Sequence, residues 1–186
     1  MKPILLEFSD QFETERLLIR SPKPGDGKAV SDAIRASMSE LKPWMPFARQ
    51  EQTDEQVEEN IRQSYVQFLS REDLRLLVFR KDTMEFVASS GLHRIDWNVR
   101  KFEIGYWIDT RYSGNGYMTE AVQGIASFAF SELQARRVEI RCDSKNSKSR
   151  AIPEKLGFVL EGILISNSLS IDETEVRDTC IYAKVK

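Results

Sequence analysis

Histidine is almost missing from this chain: His93 is the one imidazole in 186 residues. The two cysteines, Cys142 and Cys180, stand far apart with no C-x-x-C spacing. The side chains that build transition-metal sites are therefore too few, and no metal is expected. Two isolated thiols also exclude a disulfide framework and suit a reducing cytoplasm. No apolar run reaches the roughly 20 residues that a bilayer span requires, so no membrane partner is expected. The opening "MKPILLEFSD" has too short an apolar stretch and no small-residue cleavage pattern, and no secretion signal is read there. An excess of either charge is absent too. Against 29 Asp and Glu stand 27 Lys and Arg, so no basic field invites nucleic acid. Repeats, low-complexity tracts and linkers are lacking, and the length suits one domain spanning residues 1–186.

What is present is ordinary globular composition, 41% hydrophobic and 30% charged, enough for a single core without covalent staples. "ERLLIR", Glu15 to Arg20, reads as a first strand stopped by "SPKPGDG". Asp26 is placed to cap a helix over about Gly27 to Ser37. "LKPWMPFARQ" reads as an aromatic loop. Thr53 and Gln56 have capping-box spacing ahead of a helix to about Leu69. "LRLLVFR", "EFVASSGLHRI" and "KFEIGYWID" follow as antiparallel hairpin strands. A helix with Met118, Val122, Ile125, Ala129 and Leu133 on one face comes next, then a strand at "RRVEIRC". "SKSRAIPEKLG" reads as a short helix closed by Gly157, and "FVLEGILI" and "RDTCIYAKV" are the last strands. The order β-α-α-β-β-β-α-β-α-β-β predicts an α/β fold of the α+β kind, its mixed sheet covered by helices on both faces.

One junction stands out in this order. In "EIGYWIDTRYSGNGYMTEAV" a strand stops on Gly114 and Gly116, and a helix opens at once. Such a junction presents free N–H groups at the positive end of a helix dipole, where an anion, phosphate above all, is bound. The segment lacks the Lys-Ser/Thr pair of a P-loop. It also lacks the third glycine of a dinucleotide fingerprint, since Thr119 stands there. What remains is R-x-x-G-x-G, Arg111 to Gly116.

That motif resembles the acetyl-CoA pyrophosphate loop of the GNAT acetyltransferase superfamily. "NSKSRAIPEKLGF", Asn146 to Phe158, is similar to the superfamily's N-x-x-[AS]…E-K-L-G-F segment. "ETERLLIR" and "SGLHRIDWNVRKFEIGYWID" resemble the RimJ/RimL-type branch, the ribosomal-protein N-acetyltransferases. The likeness covers about Thr14 to Val185. It implies the GNAT fold, with a mostly antiparallel sheet, acetyl-CoA as cosubstrate, and direct transfer to an amine, most naturally a protein N-terminal α-amine. A small-molecule amine acetyltransferase and a silent acyl-CoA sensor are the alternatives. A monomer or a homodimer fits equally.

The resemblance also implies a site. Pantetheine would pair with main chain near Trp107, Ile108 and Asp109, where two strands splay, and an N–H of that strand would meet the oxyanion. The pyrophosphate would rest on Arg111, Tyr112, Ser113, Gly114, Asn115, Gly116, Tyr117 and Met118. Glu103, alternating with Gly105 and Trp107 on one strand face, is the first choice of base, since apolar neighbours raise a carboxyl pKa; a structural ion pair is its other reading. His93 on the next strand would back it up or bind substrate, or be a satisfied strand-end residue. The Tyr that many relatives place seven residues after the Asn is Pro153 here, which leaves Ser149 as the hydroxyl for the departing thiolate. Ser149 or Ser147 is equally suited to cap the helix. Asn146 would bond pantetheine amides or serve as a cap. Trp44 and Phe47 would line the acceptor pocket or tuck into the core, and Cys142 reads as a small core residue.

Overall fold

The structure, a computed structural model, describes residues 2–186. Eight strands form one sheet: β1 (Gln11–Glu13), β2 (Leu17–Arg20), β3 (Leu74–Arg80), β4 (Phe86–Asp96), β5 (Lys101–Ile108), β6 (Arg137–Asp143), β7 (Val159–Leu169) and β8 (Val176–Val185). Their order is β1-β2-β3-β4-β5-β6-β8-β7. All neighbours are antiparallel except β5 and β6. The helices are α1 (Gly27–Ala36), α2 (Met38–Leu41), α3 (Asp54–Ser70), α4 (Tyr117–Ser131) and α5 (Ser147–Lys155). Every expected element is present. Two short ones, β1 and α2, come in addition; neither is long enough to show a period.

Alternation along the strands sorts the core into two layers. Leu74, Leu76 and Val78 of β3 join Phe102 and Ile104 of β5 beneath α4. Leu77, Phe79 and Trp107 face the other way, against Val30 and Ile34 of α1 and Val57 and Ile61 of α3. The sheet is thus buried on both sides, as the mixed topology requires.

Local signals fix some ends and tertiary ones fix others. The Thr53–Gln56 capping box forms in both directions. Gly157 takes the left-handed conformation (φ +72°), and the Phe158 N–H returns to the Pro153 carbonyl to close α5. Asp26, by contrast, does not cap α1. Its carboxylate takes the Arg20 guanidinium, both contacts at 2.7 Å, and the Lys23 N–H. The open N–H groups of Gly25 and Gly27 are instead met by Glu58 of α3, at 2.8 and 2.9 Å. The strand expected at "FVLEGILI" runs further, as β7, to Leu169, and the bend to β8 is Ser170 to Glu175.

Candidate active site

The parallel pair β5–β6 is registered only at Lys101–Arg137, Phe102–Val138 and Glu103–Glu139. Beyond it β5 pairs with β4 alone, and β6 with β8 alone. The sheet therefore opens into a wedge from Glu103 onward. The Asp109 N–H donates to Val87, so the odd-numbered residues of β5 turn their backbone bonds toward β4. The main-chain groups left facing the wedge belong to Tyr106 and Ile108. Of the three residues expected near pantetheine, Ile108 turns its main chain to the wedge, and Trp107 and Asp109 turn theirs toward β4.

At the end of β5, Asp109 is fully buried and caps a 3₁₀ turn over Thr110–Tyr112. Gly114 (φ +83°) and Gly116 (φ +78°) then turn the chain into α4. Nothing lies within 4 Å of a Cβ built on Gly114, so its glycine answers to backbone conformation and not to crowding. Among the described residues, no backbone acceptor meets the N–H groups from Gly114 to Thr119. They form an anion cradle on the positive end of α4. The Met118 side chain points into the core, so only its N–H is available here. The Arg111 guanidinium folds back on Asp109 at 2.5 to 3.0 Å, its charge compensated. Arg16, which no local motif singles out, reaches the loop from β2's approach. It donates to the Asn115 carbonyl at 3.0 Å, pairs with Glu120 at 2.6 Å, and lies over the Tyr117 ring.

A cavity of about 740 Å³ runs through the wedge, lined on both faces of the sheet. Glu103 stands at its closed end, mostly buried, and burial raises its pKa above the ordinary carboxylate value; Arg94, 3.5 Å away, pulls the other way. His93 is its direct cross-strand partner. The imidazole Nδ1 lies 2.7 Å from Asp73. A carboxylate accepts, so Nδ1 is the nitrogen that donates to Asp73, and in the neutral ring Nε2 is then the acceptor. The ring rests on Gly105, where a Cβ would stand 3.1 Å from its Cδ2. Phe47 packs on Trp107 with ring centres 5.8 Å apart, and Phe47 and Trp44 both line the cavity.

On the α4–α5 side, the helix-capping question has a definite answer. Asn146 is the cap of α5, its Oδ1 accepting from the Ser149 N–H at 3.1 Å; neither Ser147 nor Ser149 caps. The Ser149 side chain is thereby left beside the cavity without that duty. Pro153 has no N–H to give the carbonyl four residues back, which is Ser149's. The Tyr106 hydroxyl takes the vacancy at 2.7 Å and ties β5 to α5. Burial keeps Tyr106 protonated by raising its pKa. Cys142 is half-buried and lines the cavity, and is not a plain core residue; burial pushes its thiol up to about 12, so it is not a nucleophile near neutral pH. Among the described residues no cluster of His, Cys, Asp and Glu could hold a metal ion.

The family model described as the acetyltransferase (GNAT) domain matches residues 16–159. YdaF of Bacillus subtilis (strain 168), provisionally named a ribosomal N-acetyltransferase, is 33% identical over 152 residues, 80% of each chain. A crystal structure described as a probable acetyltransferase superposes with TM-score 0.85 at 27% identity, covering 95% of this chain and 97% of the other. RimL, a ribosomal L7/L12 α-N-protein acetyltransferase in complex with coenzyme A, shares the fold at TM-score 0.85 and 19% identity, covering 92% and 95%.

Proposed function

The chain belongs to the GNAT acetyltransferase family, and from that premise we propose that it moves the acetyl group of acetyl-CoA directly onto a protein N-terminal α-amine of the ribosomal-protein kind. The wedge between β5 and β6, with the glycine loop at its mouth, is the observation that carries this reading. The diphosphate is held by the N–H groups of Gly114 to Thr119, and pantetheine runs along the main chain of Tyr106 and Ile108. The thioester then reaches the closed end of the wedge, where Glu103 and His93 face each other.

The acceptor arrives as an ammonium and must lose a proton. Glu103 takes it, directly or through water, its raised pKa making it a better base than a solvated carboxylate. His93, oriented by Asp73, accepts a hydrogen bond from the same nitrogen and aims its lone pair. The C–N bond forms, the oxyanion is met by a β5 N–H facing the wedge, and the nitrogen gives up its second proton to solvent. The C–S bond then breaks, and the thiolate takes its proton from the Ser149 hydroxyl, which solvent restores.

Acetyl-CoA supplied with panels of N-terminal peptides and small amines, with free thiol followed in time, tests the reading. Thiol release with a peptide whose α-amine becomes acetylated is the expected result. No uptake of CoA or acetyl-CoA by folded protein in calorimetry would overturn it. Uptake without any acceptor would make the chain a sensor.

A further inference from the structure

Arg75 of β3 lies under α3, mostly out of solvent. Its Nε donates to Ser89 at 3.0 Å, and its Nη1 to Asn60 at 2.6 Å and Ser64 at 3.3 Å. All three partners are neutral. Nη2 donates to no described residue, and Arg75 lines the cavity. Burial draws the guanidinium pKa down to about 10, while the charges of Asp73 and Asp26, neither in contact, pull the other way, and it stays charged at neutral pH. A buried cation with only neutral groups in contact is costly to a fold, and a plain strut between α3 and the sheet would not need one.

The carboxylates nearby are already engaged. Asp73 accepts from His93 at 2.7 Å and Asp26 pairs with Arg20, so neither touches Arg75, although both charges reach it. Glu103 faces Arg94, and Asp143 faces Arg177. Arg141 of β6 lines the same cavity and, like Arg75, has no carboxylate at salt-bridge distance among the described residues. It lies two residues past Glu139, hence on the face that carries Glu103. Two guanidinium groups with no carboxylate in contact therefore line the acceptor half of one cavity, and Arg141 lies near enough to Glu103 for its charge to draw that carboxyl's pKa down.

Between Arg75 and the wedge, the cross-strand row is Arg75, Gly91, Gly105, so no side chain but the flat His93 ring stands in the way. Two strand spacings, about 10 Å, separate Arg75's Cα from that of Gly105, a span that the guanidinium's own length largely covers. We propose that the acceptor carries an oxyanion, such as a carboxylate, one or two residues' reach from its amine, and that Arg75 with Arg141 binds that group. The proposal rests on the acetyltransferase reading of this site and narrows its substrate class. An acidic residue at the start of a peptide and the α-carboxylate of a free amino acid present the same chemistry.

Matched acceptors test it, with thiol release as the readout: peptides that differ only by Glu or Gln at the first or second position, and free amino acids against their amides. The anionic member of a pair should be favoured about 10- to 100-fold in kcat/KM, the range expected for a hydrogen-bonded ion pair. A peptide pair that discriminates points to an acidic N-terminus, and an amino-acid pair to a small acceptor. The preference should fall toward one in Arg75→Gln and Arg141→Gln, mainly through KM, and partly return in Arg75→Lys. Arg141→Gln serves where Arg75→Gln, with its three bonds, fails to fold. Equal use of both members, or a preference that both variants keep, overturns the proposal while the acetyltransferase stands. Acetyl-CoA uptake with no amine acetylated overturns the reading beneath it.

Discussion

Glu103 and His93 differ in how much of their role lies in their own neighbourhood. The alternation in "FEIGYWI" is enough to set Glu103 beside Gly105 and Trp107, and burial on that face does raise its pKa. His93 owes its orientation to Asp73, twenty residues away, and no spacing in the sequence announces that contact. For Glu103 the pH consequence follows from the sign of the shift. As a base it must be ionised, so kcat/KM falls as pH drops through a pKa that lies above the free-carboxyl value of about 4.3. Glu103→Gln should remove that acid limb and lower kcat by about 10²- to 10⁴-fold, with acetyl-CoA affinity kept, as pH-rate profiles and calorimetry would show. The same shift bears on stability. Below the unfolded pKa both states hold the proton; above it the unfolded state releases it first, so the wild type loses stability as pH rises. Glu103→Gln should therefore melt higher than wild type at neutral pH, and the gap should close in acid.

At the scale of elements, caps show where local chemistry suffices. Thr53 and Gln56 are three residues apart and form their box without help. The start of α1 depends on Glu58, one helix away, and on Gly27 letting that helix close in. A Cβ on Gly27 would stand 2.6 Å from the Glu58 Cα, a backbone atom that side-chain rotation cannot move aside. Gly27→Ala, a favourable change by helix propensity alone, should instead destabilise the protein by about 1–3 kcal/mol, which a denaturant midpoint would register. The α5 helix teaches the same point. In sequence Pro153 stands where many relatives place a tyrosine. In the fold, its missing N–H frees the Ser149 carbonyl for Tyr106, a residue of another element.

For the whole molecule, the wedge is the property that matters, since it joins the two layers at one cavity. Acetyl-CoA bound as proposed would touch β5, the glycine loop and α5 together, and only the folded chain offers that surface. Acetyl-CoA at a hundred times its Kd should therefore stabilise the protein by about 2.7 kcal/mol. At this chain length that is a rise of several degrees in Tm, measurable by thermal melting. Gly116→Ala, forced to hold φ near +78°, should lose most of that rise along with acetyl-CoA affinity.

The sequence by itself determined the periodic elements, the capping box, the glycine loop and the face that Glu103 shares, because each is set by residues within a few positions of one another. The tertiary structure decided which main-chain groups face the wedge, that Arg16 reaches the loop, that Asp73 holds His93, and that Arg75 and Arg141 stand with no carboxylate in contact. Those depend on strand register and on side chains brought together from distant parts of the chain. Charge compensation is a property of space, and composition near neutrality gives no sign of where it fails.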